Sequence, residues 1–253
     1  MQVSKQATFE YLLRLGDTAL VLGQRLSEWC GKGPALEEDI ALTNVALDLI
    51  GQARMWLSRA GEVEGAGRTE DQLAYLRDAH QFRNPLLVEQ PNGSYADTLA
   101  RQFLFDTWHY YLLDALRQSS DASIAAIADK AVKEVAYHAR RSADLVVRLG
   151  DGTAESHRRM QDAIDRLWMY TGELFDADSV DASLIAAGVA CSPAALREPW
   201  RQQVAEVLEE ATLATPDDGW MQRGGHAGRH TEHLGFLLAE MQFLQRAYPG
   251  ATW

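Results

Sequence analysis

Apolar residues recur every three or four positions along most of the 253-residue chain, which is the pattern of amphipathic α-helices. Two long segments of this kind, at about 8–30 and 36–60, are separated by Gly31-Lys32-Gly33-Pro34. Glycine suits the C-cap of a helix and proline cannot continue one, so the first helix is expected to end here. Because the linker is short, the two helices should pack antiparallel as a hairpin.

A second hairpin is predicted after a long connection. Two further amphipathic segments, at about 94–118 and 121–149, meet at Ser119-Ser120-Asp121, and the connection before them spans 61–93. Two antiparallel hairpins joined by one long crossover are typical of the ferritin-like four-helix bundle. The pattern therefore predicts an all-α fold with a ferritin-like bundle over about residues 8–150.

The rest of the chain continues the helical pattern. Additional C-terminal helices are predicted at about 153–175, 179–187, 193–213 and 229–247. No internal repeat, low-complexity tract or linker divides the chain, so a single ferritin-like domain is expected over residues 1–253, with helical additions over about 153–253.

The second predicted helix bears most directly on chemistry. Its expected buried face is formed by Ile40, Val45, Leu49, Ala53 and Trp56, and a polar line recurs every four residues at Asn44, Asp48 and Gln52. The stretch from Asp48 to Arg54 resembles the Asp-Glu-x-Gly-His-Ala-Arg segment of ferritin-like diiron oxygenase subunits. That resemblance implies that Leu49 and Gln52 stand where glutamate and histidine bind iron. Leucine cannot bind iron, and a carboxamide is a weak substitute for imidazole.

The other bundle helices are similarly depleted of ligands. A diiron bundle uses a glutamate from each of two helices and Glu-x-x-His from each of the other two. In the fourth helix, if His138 keeps the histidine position of those diiron subunits, Val135 takes the glutamate position. In the third, Asp106-x-x-His109 has the right spacing with a shorter carboxylate.

Two interpretations of these positions follow. In the first, the chain has no catalytic, cofactor-binding or metal site. Leu49, Gln52, Val135 and His138 then mark degenerate metal positions, while the remaining polar groups, Asp48, Asp106, His109 and Glu134, form a buried hydrogen-bond network. The alternative is an independent metal-binding oxidase of ferritin-like fold that uses Asp106, His109, Glu134 and His138.

A second candidate site precedes the last predicted helix. His226, His230 and His233 are spaced at i, i+4 and i+7, but the glycines around them disfavour an early helix start, so only His230 and His233 are expected to share the helix. One interpretation is a glycine hinge with histidines that cap or pack. The other is contact with a partner or with phosphate groups through Arg223, His226, Arg229 and His230.

The composition limits the partners. The chain has 24 basic and 36 acidic residues and a net charge of −12, which argues against nucleic acid or an anionic membrane as the main partner. Cys30 and Cys191 match no zinc-site spacing and suit a reducing compartment. With no signal segment and no apolar run of membrane-spanning length, a soluble cytoplasmic protein is expected.

Longer matches spread over the chain point to one family. They are Leu15-Gly16-Asp17, Asn44 to Arg54, Leu87 to Gly93, Glu173 to Asp178, His230 to Gly235 and Leu238 to Arg246. On these segments the chain resembles the C-subunit family of the bacterial phenylacetyl-CoA epoxidases, multicomponent oxygenases of aerobic phenylacetate breakdown.

The resemblance implies a structural role. In this family the C subunit has the fold of the catalytic A subunit but lacks its iron ligands, and it pairs with and supports that subunit. Catalytic activity and a cofactor are therefore not expected in this chain, and iron is expected in the A subunit. A small B subunit and a reductase would complete the system, and the isolated chain could also form a homodimer.

Overall fold

The computed structural model describes residues 4–251 of the chain. These residues form eleven α-helices and four short 3₁₀ segments, and they contain no β-strand. The helices are α1 (Lys5–Ser27), α2 (Leu36–Glu64), α3 (Glu70–Tyr75), α4 (Leu86–Glu89), α5 (Tyr95–Leu116), α6 (Ala122–Gly150), α7 (Ala154–Trp168), α8 (Ser179–Ala186), α9 (Arg197–Glu210), α10 (Glu232–Met241) and α11 (Phe243–Ala247). The 3₁₀ segments are Ala79–Gln81, Gly172–Phe175, Pro193–Leu196 and Gly225–Ala227.

The helices divide into two compact units, each containing one of the predicted hairpins. Among the described residues, one unit is formed by 4–91 together with 224–251, and it contains the α1–α2 hairpin. The other spans 92–223 and contains the α5–α6 hairpin. A single domain over 1–253 stays a prediction, and its ends, 1–3 and 252–253, lie outside the described residues.

The α1–α2 hairpin is held by close packing between its helices. Gly16 faces α2 so closely that a β-carbon there would lie 2.6 Å from Leu57 Cδ2. At the turn, the Asp39 carboxylate accepts a hydrogen bond from the Gly33 backbone N–H at 2.8 Å. Helix α2 then ends at Gly65, whose φ of 68° is the left-handed conformation that glycine adopts without strain.

A buried ion pair anchors the connection that follows α2. Asp17 of α1 and Arg77 are both buried, and Arg77 Nη1 lies 3.0 Å from Asp17 Oδ2. The Arg83 backbone N–H donates to the same carboxylate oxygen at 2.9 Å. A buried charge is stable only when it is paired, so Asp17 and Arg77 must stay together. Their bonds therefore hold the residues that follow α3 against α1.

In the other unit, α7 and α9 pack on the α5–α6 hairpin. Helix α5 starts with a capping box in which Ser94 and Asp97 bond each other's backbone N–H groups. Two buried indoles join the additional helical segments to α5. Trp200 Nε1 donates to the Leu104 carbonyl oxygen at 2.9 Å, and Trp108 Nε1 donates to that of Leu174 at 3.1 Å.

Several helix ends differ from the predicted ones. Helix α7 ends at Trp168, whereas the pattern predicted helix to about 175. The chain turns there into a 3₁₀ segment, and Gly172 packs so tightly that a β-carbon would lie 2.7 Å from Met221 Cγ. The last predicted helix begins three residues later than expected, and it is interrupted at Gln242. The Gln242 amide donates to the carbonyl oxygens of Ala74 and Arg77, both at 3.0 Å.

Candidate functional site

The degenerate positions of α2 lie on its buried face. Leu49 and Gln52 are both fully buried, as the apolar pattern predicted for this face. Ile40 is the exception, because 52% of it is exposed. Along the polar line, Asp48 is only half-buried. Of the two positions that the family resemblance assigns to iron ligands in this helix, one therefore carries an aliphatic side chain with no donor atom.

In the α5–α6 hairpin, the predicted polar residues Asp106, His109 and His138 are buried together with Val135. Glu134 is half-buried. As in α2, the position of α6 that the family resemblance assigns to a glutamate carries an aliphatic residue, Val135. The donor set on each helix therefore does not match the Glu-x-x-His pair of a diiron site.

Two residues that the sequence did not single out bind Asp106. The Gln102 amide donates to Asp106 Oδ1 at 3.3 Å, and the Ser142 hydroxyl is a further hydrogen-bond partner of the carboxylate. Ser142 also lies 3.0 Å from the carbonyl oxygen of His138, one turn earlier on α6. The contact between Gln102 and Asp106 could have been predicted from the sequence, because residues four positions apart share one face of a helix. The contact of Ser142 with Asp106 could not, because it depends on how α6 packs against α5.

Burial controls the protonation of this cluster. It raises the pKa of Asp106 to about 6, although His138 opposes the shift. Burial, followed by the charge of His138, lowers the pKa of His109 to about 3. His109 is therefore neutral at physiological pH, and its Nδ1 has no hydrogen-bond partner among the described residues. Its ring lies 4.9 Å from that of Phe105, measured between ring centres. This environment is that of a packed core histidine.

His109 should make folding sensitive to acid. The unfolded chain takes up a proton near pH 6.5, but the folded one does so only near pH 3, so stability due to this group is lost as pH falls below 6.5. Relative to His109→Gln, the native chain should lose about 2–3 kcal/mol of unfolding free energy between pH 7.5 and pH 4.5. Urea unfolding at both pH values measures this difference.

The control for that experiment is His80→Gln, which changes an exposed histidine. This variant should follow the native chain at both pH values. Asp106 acts in the opposite direction, since its raised pKa favours the folded state as pH falls through 6. It is present in all three proteins, so it does not enter the comparison. Equal acid sensitivity in His109→Gln and the native chain would contradict the prediction.

The described residues contain no group of three or more histidine, cysteine, aspartate or glutamate side chains that could hold a metal ion. Nor does any helix within residues 4–251 have the length and apolar character needed to cross a membrane.

A second buried carboxylate, Glu89, was not predicted from the sequence. Its Oε1 accepts hydrogen bonds from the backbone N–H of Thr231 at 2.6 Å and from the Thr231 hydroxyl at 2.8 Å. Its Oε2 lies 3.0 Å from Asn84 Nδ2 and 2.7 Å from His230 Nδ1. His230 Nε2 lies 3.0 Å from the carbonyl oxygen of Phe82. Both ring nitrogens therefore face acceptors, an arrangement that a protonated imidazole satisfies.

The charge of this site is consistent with that geometry. Burial alone would lower the pKa of His230, but the hydrogen bond and negative charge of Glu89 outweigh it and raise the pKa above its ordinary value. Arg25 of α1 donates through Nη2 to the backbone carbonyl oxygens of Glu89 and His233, both at 2.9 Å. We call Glu89, His230, Thr231, Asn84 and Arg25 the Glu89 lock.

Two glycines allow the segment before α10 to reach the Glu89 lock. A β-carbon at Gly225 would lie 2.0 Å from the backbone oxygen of Asn84. At Gly228, where φ is 72°, it would lie 2.1 Å from the backbone oxygen of His80. Glycine is required at both positions because any side chain would collide with the neighbouring backbone.

The histidine prediction for this region is wrong in one respect. Helix α10 begins at Glu232, so His230 precedes the helix and does not share it with His233. The reason is that Thr231, the N-cap, stays extended at φ −75° and ψ 165° while its backbone N–H bonds Glu89.

The other residues of the predicted contact set have different local surroundings. His226 lies in a 3₁₀ segment, Arg229 is exposed, and Arg223 forms an ion pair with Asp176 at 2.9 Å. The ring nitrogens of His230 are engaged within the fold. Contact of Arg223, His226, Arg229 and His230 with a partner or phosphate stays a prediction.

Comparison with known proteins decides the family. The family model described as "Phenylacetic acid catabolic protein" matches residues 1–253. The chain belongs to this family. It is also similar to the C subunit of the 1,2-phenylacetyl-CoA epoxidase of Escherichia coli (strain K12), with 54% identity over 243 residues, or 96% of this chain and 98% of that protein. The family resemblance and the all-α, ferritin-like fold class predicted from the sequence are both confirmed.

Proposed function

We propose that this chain is a structural subunit of a phenylacetyl-CoA epoxidase of aerobic phenylacetate catabolism, and that it pairs with and stabilises the catalytic diiron subunit. The observation that carries the proposal is the 54% identity to the C subunit of the Escherichia coli epoxidase over nearly the full length of both chains. A small B subunit and a reductase would complete the system, and the protein would act in the cytoplasm.

The lack of catalysis in this chain is supported by its side chains. Leu49 in α2 and Val135 in α6 are fully buried aliphatic residues at positions that the family resemblance assigns to iron-binding glutamates. The iron that activates oxygen would therefore belong to the catalytic subunit. The role of this chain would be to present a stable helical surface to that subunit.

An independent oxidase that uses Asp106, His109, Glu134 and His138 has less support. Three of these residues are buried and Glu134 is half-buried, and the described residues hold no group of three or more histidine, cysteine, aspartate or glutamate side chains that could bind a metal ion. His109, with its pKa near 3, packs against Phe105 as a neutral ring. The full-length similarity to a protein named as a subunit also favours the structural role.

Metal content and activity of the chain expressed alone in iron-rich medium test the proposal. We expect less than about 0.1 equivalent of iron, manganese or zinc after desalting, and no epoxidation of phenylacetyl-CoA. Co-expression with the catalytic subunit should yield a stable complex that contains iron. His138→Ala serves as the control and should lower stability without changing metal content. One or two retained equivalents together with turnover by the chain alone would contradict the proposal.

A further inference from the structure

Helix α2 exposes three large apolar side chains on one side. Leu36 is 72% exposed, Ile40 52% and Leu47 61%. With 3.6 residues per turn, these three positions fall within about 40° of arc and span about 16 Å of the helix axis. We call Leu36, Ile40 and Leu47 the α2 stripe.

The α2 stripe lies opposite the face that α2 uses within its own fold. The buried residues of the helix include Leu42, Val45, Leu49, Ala53 and Trp56. By helical geometry they lie roughly 180–260° from Leu36, whereas Ile40 and Leu47 lie within about 40° of it. A surface helix of a globular protein normally has one apolar face and one polar face. The first half of α2 therefore carries a second apolar stripe on the opposite side, which residues 4–251 leave exposed; beyond Gly51 that side carries the polar residues Arg54 and Ser58.

Gly51 continues the exposed side one turn beyond Leu47. A β-carbon at this position would meet no atom within 4 Å, so packing within the chain does not require glycine here. In mid-helix, glycine costs about 1 kcal/mol relative to alanine. A close approach of a second helix backbone would account for its presence, because glycine permits such contact.

The charges beside the stripe indicate the chemistry of what covers it. The first turn of α2 carries Glu37, Glu38 and Asp39. Glu37 is exposed next to Leu36. A second copy of the chain would bring another net charge of −12 to this surface, which opposes self-association. A partner helix with its own apolar stripe would cover Leu36, Ile40 and Leu47, and a lysine or arginine on that helix would pair with Glu37.

We infer that the α2 stripe is the surface on which this chain binds an amphipathic, basic-flanked helix of its partner subunit. The inference rests on the proposed function, since it names the face used for pairing with the catalytic subunit. The described residues also expose seven other large apolar side chains, which are Leu76, Tyr137, Trp220, Phe236, Phe243, Leu244 and Tyr248. Phe236, Phe243 and Leu244 lie on α10 and α11, which have only 10 and 5 residues and are separated by the break at Gln242, so neither helix offers a stripe as long as that of α2.

Binding of the purified full chain to the catalytic subunit, measured by biolayer interferometry, tests the inference. Leu47→Glu should weaken binding at least about 30-fold, because it places a charge at the centre of an apolar contact. Glu37→Lys should weaken it about 3–10-fold, with the loss becoming smaller at high salt. Phe236→Glu is the matched control, since Phe236 is 69% exposed on another helix, and it should leave binding unchanged. Circular dichroism checks that each variant keeps the native melting temperature.

The outcomes separate this inference from the proposed function. If the native chain does not bind the catalytic subunit, both are overturned. If the native chain and Leu47→Glu bind equally well, only the inference is overturned. It is also overturned if Phe236→Glu alone weakens binding. A native homodimer that Leu47→Glu converts to monomer, with unchanged binding to the catalytic subunit, would show that a second copy covers the stripe and would overturn it as well.

Discussion

Replacing Glu89 with glutamine is expected to lower the free energy of unfolding by about 3–5 kcal/mol, because it breaks a buried ion pair and leaves its partners unsatisfied. The carboxylate accepts hydrogen bonds from Asn84, His230 and Thr231 through both oxygens. Glutamine has one acceptor oxygen and one amide nitrogen. In any orientation of the amide, at least one donor of the Glu89 lock would face another donor.

Two further measurements localise this effect. Without the Glu89 charge, the pKa of His230 should fall, and NMR titration of the imidazole can follow it. Hydrogen exchange should become faster at residues 224–231, because their anchor to residues 82–89 is weakened.

The control for this substitution is Glu62→Gln. Glu62 is exposed and pairs with Arg59 at 2.9 Å on the surface of α2. Exposed ion pairs contribute little, so this variant should change the free energy of unfolding by less than about 0.5 kcal/mol. If the Glu89 and Glu62 variants are equally stable, the Glu89 lock does not hold the segment before α10 in the way the structure indicates.

Leu49→Glu is expected to lower the free energy of unfolding by at least about 3 kcal/mol, since it removes an apolar contact and buries a carboxylate without a partner. Leu49 is fully buried in α2, so the new charge would have no access to water. Chemical unfolding at pH 7 measures the loss. Part of it should be recovered at pH 5, because a buried carboxylate with a raised pKa accepts a proton there.

Leu47→Glu supplies the matched control, with the same change two residues away. Leu47 is 61% exposed, so a carboxylate there stays hydrated, and the stability should change by no more than about 0.5 kcal/mol. We therefore expect Leu49→Glu to lower the stability of the fold and Leu47→Glu to weaken binding to the catalytic subunit without changing stability. Recovery of Leu49→Glu by added iron(II) would show that a metal can be bound once a carboxylate stands at position 49. Equal stability of the Leu49→Glu and Leu47→Glu variants would contradict the prediction.

Most of the helical framework could be predicted from the sequence, because helix periodicity and capping are local properties. The spacing of apolar residues placed the two hairpins, and the break between α1 and α2 followed from Gly31 and Pro34. The sequence also shows that Leu49 and Val135 cannot bind a metal ion, since an aliphatic side chain has no donor atom in any fold.

The Glu89 lock could not be predicted in this way. Its central pair, Glu89 and His230, is separated by 141 positions in the chain, and no local pattern connects the two residues. The start of α10 is stabilised by the same carboxylate, which accepts the backbone N–H of the N-cap residue Thr231, a donor that has no partner within the helix.

The sequence by itself determined the helix content, the two hairpins and the family, and it predicts aliphatic residues, Leu49 and Val135, at the positions that the family resemblance assigns to iron-binding glutamates. Only the tertiary structure decided which helix face is covered. Ile40 and Leu49 belong to the same apolar pattern, yet Ile40 is half exposed while Leu49 is fully buried. The physical reason is that periodicity records which residues avoid water, whereas burial also depends on which neighbouring helices, from this chain or a partner, pack against each face.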